Sequence, residues 1–237
     1  MGKHKKKGEA EKPQVAAIDG NAHKLAAIGA LDKLTELIEA GTEVDAVDEM
    51  LCTPLLWAAR AGNVDVVNFL LDKGANIEHK GYGGMTSLLH AANNMREAVT
   101  KVLLDKGAKV DETDDQGNTA MHWNATRGVM ATAIVLRDSG ADVNKANAQG
   151  ATAMHKAAAN GQLTCIQKLV SLGCDAKVQD GEGDTCLHTA ARGGFLALCK
   201  WLVEEGGADK SVKNAQGQTA AEVELPGSGV ASALSDA

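Results

Sequence analysis

Four histidines occupy one recurring position in the chain, and histidine is the residue type most often used for proton transfer and metal binding. They are His23, His122, His155 and His188, and the last three follow one another at steps of 33 residues. A catalytic histidine needs a nucleophile or a carboxylate beside it, and the pattern supplies no such partner for these four. Their regular step instead predicts a structural role, in which each imidazole bonds to backbone where a loop meets a helix.

Cysteines are the second set of residues with possible chemistry. The chain has five of them, Cys52, Cys165, Cys174, Cys186 and Cys199, and no Cys-x-x-Cys pair. The odd number and the spacing favour reduced thiols in an intracellular protein, without a bound metal. No phosphate-binding loop and no Ser/His/Asp or Cys/His set is recognisable, so we expect neither a cofactor nor an enzyme.

The elements that hold these residues are set by an internal repeat. The marker threonines Thr53, Thr86, Thr119, Thr152 and Thr185 are 33 residues apart, and Thr219 follows one residue late. A period in the range of about 20 to 50 residues indicates stacked structural units. Each threonine is placed to cap a short first helix that carries a pair of small residues, and an aliphatic second helix follows and ends at a glycine.

The pattern Thr-Pro-Leu-His-x-Ala-Ala, then Gly, then an aliphatic run, then Gly-Ala, resembles the ankyrin repeat. A representative copy is Thr-Ala-Met-His-Lys-Ala-Ala-Ala-Asn-Gly at 152–161, and the resemblance covers about residues 20 to 225. It implies an all-α solenoid of stacked helix-turn-helix units with β-hairpin loops. It implies little about function, because function belongs to sites and not to folds.

The repeat predicts the domain boundaries. An ankyrin-repeat domain at 16–227 is expected to contain repeats at about 16–47, 48–80, 81–113, 114–146, 147–179 and 180–213, with a partial C-terminal cap at 214–227. Within that cap, Thr219 to Leu225 is predicted to form one helix that stops at Pro226. Residues 1–15 are predicted to be a disordered basic tail, and residues 228–237 a C-terminal tail in which Val230 to Leu234 could add a turn.

The charge distribution limits the classes of partner. The net charge is −7, and residues 1–12 carry five Lys and two Glu, or +3, which leaves −10 on the remainder. An acidic body does not suit nucleic acid, and no apolar run reaches the ~18 residues of a membrane span. A monomer in the cytoplasm is expected, and the lysine-rich tail adds two alternatives, import into the nucleus and contact with an anionic membrane surface.

One column of the repeat predicts a partner-binding site. The residue after the histidine position faces the concave side in ankyrin-like stacks, and down the chain it reads Lys24, Trp57, His90, Trp123, Lys156, Thr189 and Val223. Exposed tryptophan and tyrosine are frequent anchors of interfaces. The predicted partner-binding residues are therefore Trp57, Arg60, Tyr82, His90, Trp123, Arg127 and Lys156. The alternative is that the rings only fill the groove against one another.

Two irregular repeats predict a softer centre of the stack. Asn124 replaces the first small residue of its pair, and Asn93-Asn94-Met95 replaces the glycine break of the third repeat. We expect Asn94 to take the left-handed conformation there, because asparagine tolerates it. Faster amide exchange is predicted around residues 90 to 130 than around residues 150 to 200.

Asn144 is a candidate modification site. The letters Leu136, Asp142, Val143 and Asn144 resemble the motif that asparaginyl hydroxylases modify in ankyrin hairpins. The same letters are ordinary repeat consensus, so both interpretations stay open.

The sequence as a whole predicts a non-enzymatic module that binds a protein partner through its concave groove and hairpin tips. Seven units in a chain of this length, with the segments 151–159 and 179–185, are similar to gankyrin-type proteasome assembly chaperones. That resemblance implies that Trp57, Trp123 and Lys156 would face a proteasomal ATPase subunit. A regulatory inhibitor, or an adaptor that recruits substrates to a separate enzyme, would use the same groove.

Overall fold

The computed structural model describes residues 21–128 and 130–236, and this part of the chain contains helices and no strands. Residues 1–15, predicted to be a basic tail, lie outside the described residues, as does the start of the first repeat. The helices are α1 (Ala22–Ile28), α2 (Leu31–Glu39), α3 (Pro54–Ala61), α4 (Val64–Asp72), α5 (Ser87–Asn93), α6 (Glu97–Asp105), α7 (Ala120–Arg127), α8 (Ala131–Asp138), α9 (Ala153–Ala159), α10 (Leu163–Ser171), α11 (Cys186–Arg192), α12 (Leu196–Glu204) and α13 (Val230–Asp236). The predicted all-α solenoid is confirmed.

The helices form pairs, and successive pairs stack side by side. The first helices α1, α3, α5, α7, α9 and α11 pack against one another in chain order, and α4, α6 and α8 stack in the same way behind them. Close approach is possible because the paired small residues are fully buried, as at Ala58, Ala59, Ala190 and Ala191. The second helices contribute one apolar face each, which joins a single continuous core.

Each first helix begins at its marker threonine. Thr53 and Thr86 accept a hydrogen bond from the backbone N–H three residues on. Thr119, Thr152 and Thr185 form a capping box with the histidine three residues later. The predicted capping role of these threonines is confirmed.

The hairpins between repeats are linked by single backbone hydrogen bonds. The N–H of Tyr82 donates to Met50 O, that of Asp115 to Gly83 O and that of Ala148 to Gln116 O, at distances of 2.9 to 3.0 Å. The approach is so close that a Cβ on Gly117 would lie 2.6 Å from the backbone nitrogen of Ala148. The hairpin tips therefore form one connected row along the groove.

Two residues other than glycine adopt positive φ in the described part of the chain, Leu51 at 57° and Met95 at 59°. Leu51 stands where the other hairpins have glycine, as the sequence indicated. The expectation that Asn94 would be left-handed is wrong: its φ is −101°, and its side chain donates to His90 O. The 33-residue period places Met95, not Asn94, in register with Gly62 and Gly128.

The C-terminal end differs from the prediction in two ways. Residues 219–225 form a turn and not a helix, and the carboxylate of Glu222 accepts from Thr219 N and Oγ1. The predicted tail instead contains α13, whose Val230 and Leu234 are buried against the preceding repeat. The partial unit lacks a second helix of its own, so α13 covers the apolar face that the last complete repeat would otherwise expose.

Asn124 is fully enclosed in the stack. Its Nδ2 donates to Ala120 O within α7, while its Oδ1 has no hydrogen-bond partner among the described residues. A buried polar atom without a partner costs about 1–3 kcal/mol. Among the described residues, the other buried side-chain atoms of this kind are Thr100 Oγ1, Asp111 Oδ1, Thr132 Oγ1 and Gln162 Oε1, so four of the five belong to the central repeats.

These features give the exchange prediction a physical basis. We expect amides of α5 to α7 to exchange faster than those of α9 to α11, because local opening of the central units releases strain at Met95 and hydrates buried polar atoms. Hydrogen-exchange mass spectrometry on the native chain measures this directly. Equal protection of the two groups of helices would contradict it.

Candidate functional site

The recurring histidines join neighbouring repeats. His155 Nδ1 accepts the backbone N–H of Thr152 at 3.1 Å, so the ring proton is on Nε2, which donates to Asp184 O in the next repeat at 3.0 Å. His122 and His188 make the same contacts with Ala151 O and Gln218 O. His23 Nε2 contacts Ala46 O at 2.8 Å. The predicted structural role of the four histidines is confirmed.

Burial of the histidines couples stability to pH. It lowers the pKa of His122 and His155, and burial together with nearby Arg60 lowers that of His90 to about 4. The unfolded chain, whose histidines have pKa values near 6.5, therefore binds more protons than the folded chain once the pH falls below that value. The contribution of these histidines to the free energy of unfolding is therefore fully present above pH 6.5 and is lost as the pH falls towards 4.

We accordingly expect a lower thermal midpoint at pH 5 than at pH 7.5, measured by circular dichroism at constant ionic strength. His90→Asn removes the largest of these contributions and is expected to reduce the difference between the two midpoints. A midpoint that is constant or rises on acidification would contradict the assignment of neutral buried rings.

The cysteines are inert in this structure. All five are buried and free. Burial raises the pKa of Cys165 to about 11 and those of Cys174, Cys186 and Cys199 to about 12. They are protonated at neutral pH and lack the reactive thiolate form. Within the described ranges, no cluster of three or more His, Cys, Asp or Glu side chains could hold a metal ion.

A cavity of about 650 Å³ opens into the groove between repeats two and four. Its walls come from α3, α5, α7 and three hairpins. Six of the seven predicted partner-binding residues line it: Trp57, Arg60, Tyr82, His90, Trp123 and Arg127. Lys156 lies one repeat further along, on α9, and is not among the lining residues. The volume is typical of sites that bind small molecules or single protruding side chains.

The two tryptophans are held by the hairpins that precede them. Trp57 Nε1 donates to Asp48 Oδ2 at 2.7 Å, and Trp123 Nε1 donates to Asp114 Oδ2 at 3.0 Å. The other oxygen of each carboxylate accepts two backbone N–H groups within its own hairpin. Each indole is therefore fixed at its polar edge, half-buried, while the ring lines the cavity.

Two arginines of the cavity wall lie in the last turns of first helices, Arg60 on α3 and Arg127 on α7. The guanidinium carbon of Arg60 lies 5.2 Å from the centre of the Trp57 ring, a cation–π contact. Arg127 Nε donates to Asn93 O and to Asn93 Oδ1. Neither guanidinium is in an ion pair with any described carboxylate, whereas Arg192, in the column of Arg60, pairs with Asp184 at 2.6 Å.

Among the exposed apolar residues beside the cavity, sequence reasoning identified Tyr82 and missed Val47, Met50 and Leu51. Val47, Met50, Leu51 and Tyr82 are all exposed, Leu51 by 59% and Tyr82 by 72%. A left-handed conformation costs a residue other than glycine about 1–2 kcal/mol. Because of this cost, Leu51 at a position where the other hairpins have glycine was the sequence signal for this surface. Sequence reasoning also missed the carboxylates that hold the indoles. The available signal was an Asp nine residues before each of these Trp residues, at 48/57 and 114/123.

Asn144 lies away from the cavity, in the loop after α8. Its side-chain Oδ1 accepts the N–H of Asp175 at 2.8 Å, and its Nδ2 donates to Gly173 O at 3.3 Å. Both bonds join it to the next repeat, so a hydroxylase would need that loop to open first. Hydroxylation stays a prediction, and mass spectrometry would detect it as one added oxygen atom on Asn144.

None of the described helices is both long and apolar enough to cross a membrane.

Paired helices stacked in register, joined by hairpins and lining a groove, define the class of helical-repeat solenoids. Comparison with known families and structures agrees with this class. A family model described as ankyrin repeats in three copies matches residues 22–114, 88–180 and 154–223. The chain belongs to the ankyrin-repeat family.

Solved structures with the same fold include two ankyrin-repeat domains. The human ASB11 ankyrin repeat domain is 29% identical, with a TM-score of 0.81 over 91% of this chain and 96% of that one. The ankyrin repeat domain of Bcl-3, a member of the IkappaB protein family, is 25% identical, with a TM-score of 0.79 over 92% and 99%. No curated protein sequence matches the chain. Ankyrin-repeat domains generally mediate protein–protein interaction, and the family is typically not enzymatic.

Proposed function

We propose that the chain is a non-enzymatic binding module whose partner protein occupies the groove at the cavity of repeats two to four. The observation that carries the proposal is the convergence of six predicted anchors on that one cavity. Both half-buried indoles reach it, and so do Arg60 and Arg127, which have no ion-pair partner among the described residues. Aromatic and arginine side chains of this kind dominate the energetics of protein interfaces.

The groove is also preorganised. The indoles are fixed by hydrogen bonds to Asp48 and Asp114, and the hairpins are linked to one another by backbone bonds. Because little side-chain freedom remains to be lost when a partner binds, the entropic cost of binding is low and the affinity is correspondingly higher. This fixed arrangement supports binding over the alternative that the rings only fill space.

The more specific functions differ in the partner and not in the site. A proteasome assembly chaperone, a regulatory inhibitor and a substrate-recruiting adaptor would all use this groove, in the cytoplasm or the nucleus. Lys156 lies in the same column one repeat beyond the cavity, and the chaperone resemblance implies that it too faces the partner. The identity of the captured partner decides among the three.

Affinity purification of the full chain from cell lysate, with identification by mass spectrometry, tests the proposal. It is run beside a Trp57→Ala/Trp123→Ala variant and a Lys101→Gln variant, whose change lies on the exposed face of α6. We expect one set of partners that is retained by Lys101→Gln and lost by the double variant. Equal capture by the folded double variant would overturn the proposal.

A further inference from the structure

The exposed apolar residues of this chain are concentrated beside the cavity. Seven large apolar side chains are exposed among the described residues, and four of them lie in the two hairpins that precede α3 and α5. We call Val47, Met50, Leu51 and Tyr82 the hairpin ledge. The N–H of Tyr82 donates to Met50 O, and Met50 and Tyr82 also line the cavity. Met50 and Tyr82 therefore join the ledge to the cavity, while Val47 and Leu51 lie outside the cavity lining.

Leu51 shows that the ledge is not a by-product of folding. Its equivalents in the later hairpins are Gly84, Gly117, Gly150, Gly183 and Gly217, all at positive φ. Here a leucine keeps that conformation, at φ 57°, with its side chain 59% exposed and its carbonyl bound by His79 Nε2. The backbone at Leu51 is strained, and because the side chain is mostly exposed, its burial offsets little of that cost. Strain of this kind is typical of sites that bind a partner.

The far side of the cavity has the opposite character. Arg60 and Arg127 lie at the ends of α3 and α7 and have no ion-pair partner within the described ranges. The carboxylates of Asp48 and Asp114 accept from backbone and indole groups and so are already engaged. The exposed carboxylates of Glu49 and Asp115 lie at the hairpins, on the ledge side. The cavity is thus apolar and weakly acidic at one edge and cationic at the other.

We propose that the occupant is an extended segment of a partner protein in which bulky apolar residues precede or follow an Asp or Glu side chain. The apolar residues lie on the hairpin ledge and in the cavity between the two indoles. The carboxylate lies at the arginine edge, where the guanidinium group of Arg60 or of Arg127 supplies the paired donors that a carboxylate matches. The inference rests on the proposed function and adds the chemistry of the partner segment.

Selection from a display library of random twelve-residue peptides on the immobilised full chain tests the inference. We expect the enriched peptides to combine a bulky apolar residue with an acidic one at a fixed spacing. Synthetic copies with free and with amidated C-termini are expected to bind equally, since the carboxylate is a side chain. Dependence on the free C-terminus would overturn the assignment to Asp or Glu.

Matched variants separate the two edges of the site. Arg60→Gln/Arg127→Gln and Leu51→Gly are each expected to weaken binding of the enriched peptides by about tenfold. Lys101→Gln and Leu225→Ala, which change an exposed charge and an exposed apolar residue elsewhere, are expected to stay within about twofold. Leu51→Gly should also raise the thermal midpoint, because glycine is unstrained there, so its loss of binding cannot be attributed to unfolding.

The outcomes distinguish this inference from the proposed function. Peptides without acidic residues, or unchanged binding by the arginine variant, would overturn the inference. If the enriched peptides nevertheless failed to bind the Trp57→Ala/Trp123→Ala variant, the groove would still be the binding site. Peptides that bind the tryptophan variant as well as the native chain would count against both proposals. Failure to enrich any peptide would overturn the inference and leave the purification experiment to decide the function.

Discussion

His155→Ala is expected to lower the free energy of unfolding by about 3 kcal/mol, the largest stability loss that we predict for a single polar residue. The imidazole accepts the N–H and faces the hydroxyl of Thr152, and its Nε2 donates to Asp184 O across the repeat boundary. Alanine would leave the buried N–H of Thr152 without a partner, at about 1–3 kcal/mol, and would open a cavity in addition, while Asp184 O keeps its bond from the N–H of Asp180. Urea unfolding followed by circular dichroism measures the change.

His23→Ala is the matched comparison, because His23 occupies the same column at the end of the stack. It is half-buried and, among the described residues, its ring contacts one backbone group, Ala46 O. We expect a loss of about 1 kcal/mol there. If His155→Ala cost no more than His23→Ala, the histidine column would not be the inter-repeat connection that its geometry indicates.

Trp123→Ala is expected to reduce the affinity for the purified partner by about 30-fold, which corresponds to roughly 2 kcal/mol. The ring lines the cavity from the centre of the groove. Asp114 keeps its bond to Asn118 Nδ2 when the indole is removed, so the hairpin is not left with an unpaired carboxylate oxygen. The loss therefore reports mainly on contacts with the partner. Isothermal titration calorimetry with the native and variant chains measures it.

Two further variants show which part of the indole matters. Trp123→Phe retains most of the apolar ring and removes the bond to Asp114, so we expect a loss of less than about tenfold. Trp201→Ala removes the tryptophan of α12, which is half-buried on a second helix away from the cavity. It is expected to lower stability and leave affinity unchanged. An equal affinity loss from Trp201→Ala would show that Trp123 acts through stability.

The repeat made most of the fold predictable from the sequence. Thr53 and its equivalents determine where the first helices begin, because each supplies a side-chain cap at a fixed step. The predictions were wrong in two places: where a residue preference was followed instead of the repeat period, and where the repeat itself ended. Asparagine preference suggested Asn94, while stacking requires the turn at Met95. Beyond Thr219 the repeat offers no template, and neither the turn at 219–225 nor α13 follows from a helical pattern alone.

The site was predictable only in part. A column of the repeat identifies Trp57, His90 and Trp123 as neighbours, since stacking converts a fixed step in sequence into adjacency in space. The orientation of each indole depends on a hydrogen bond to a hairpin carboxylate, which periodicity does not describe. The hairpin ledge depends on which face of a hairpin is left uncovered, and only the packed neighbours determine that.

Helix α13 has a consequence for how copies of the chain behave towards one another. In a stack of equivalent units, each unit packs on the unit before it and offers an apolar face to the unit after it. The last unit therefore has an apolar face without a neighbouring repeat. With Val230 and Leu234 seated on that face, the C-terminal end is closed to another copy. A chain shortened to residue 227 would expose it, and we expect such chains to self-assemble end to end at high concentration.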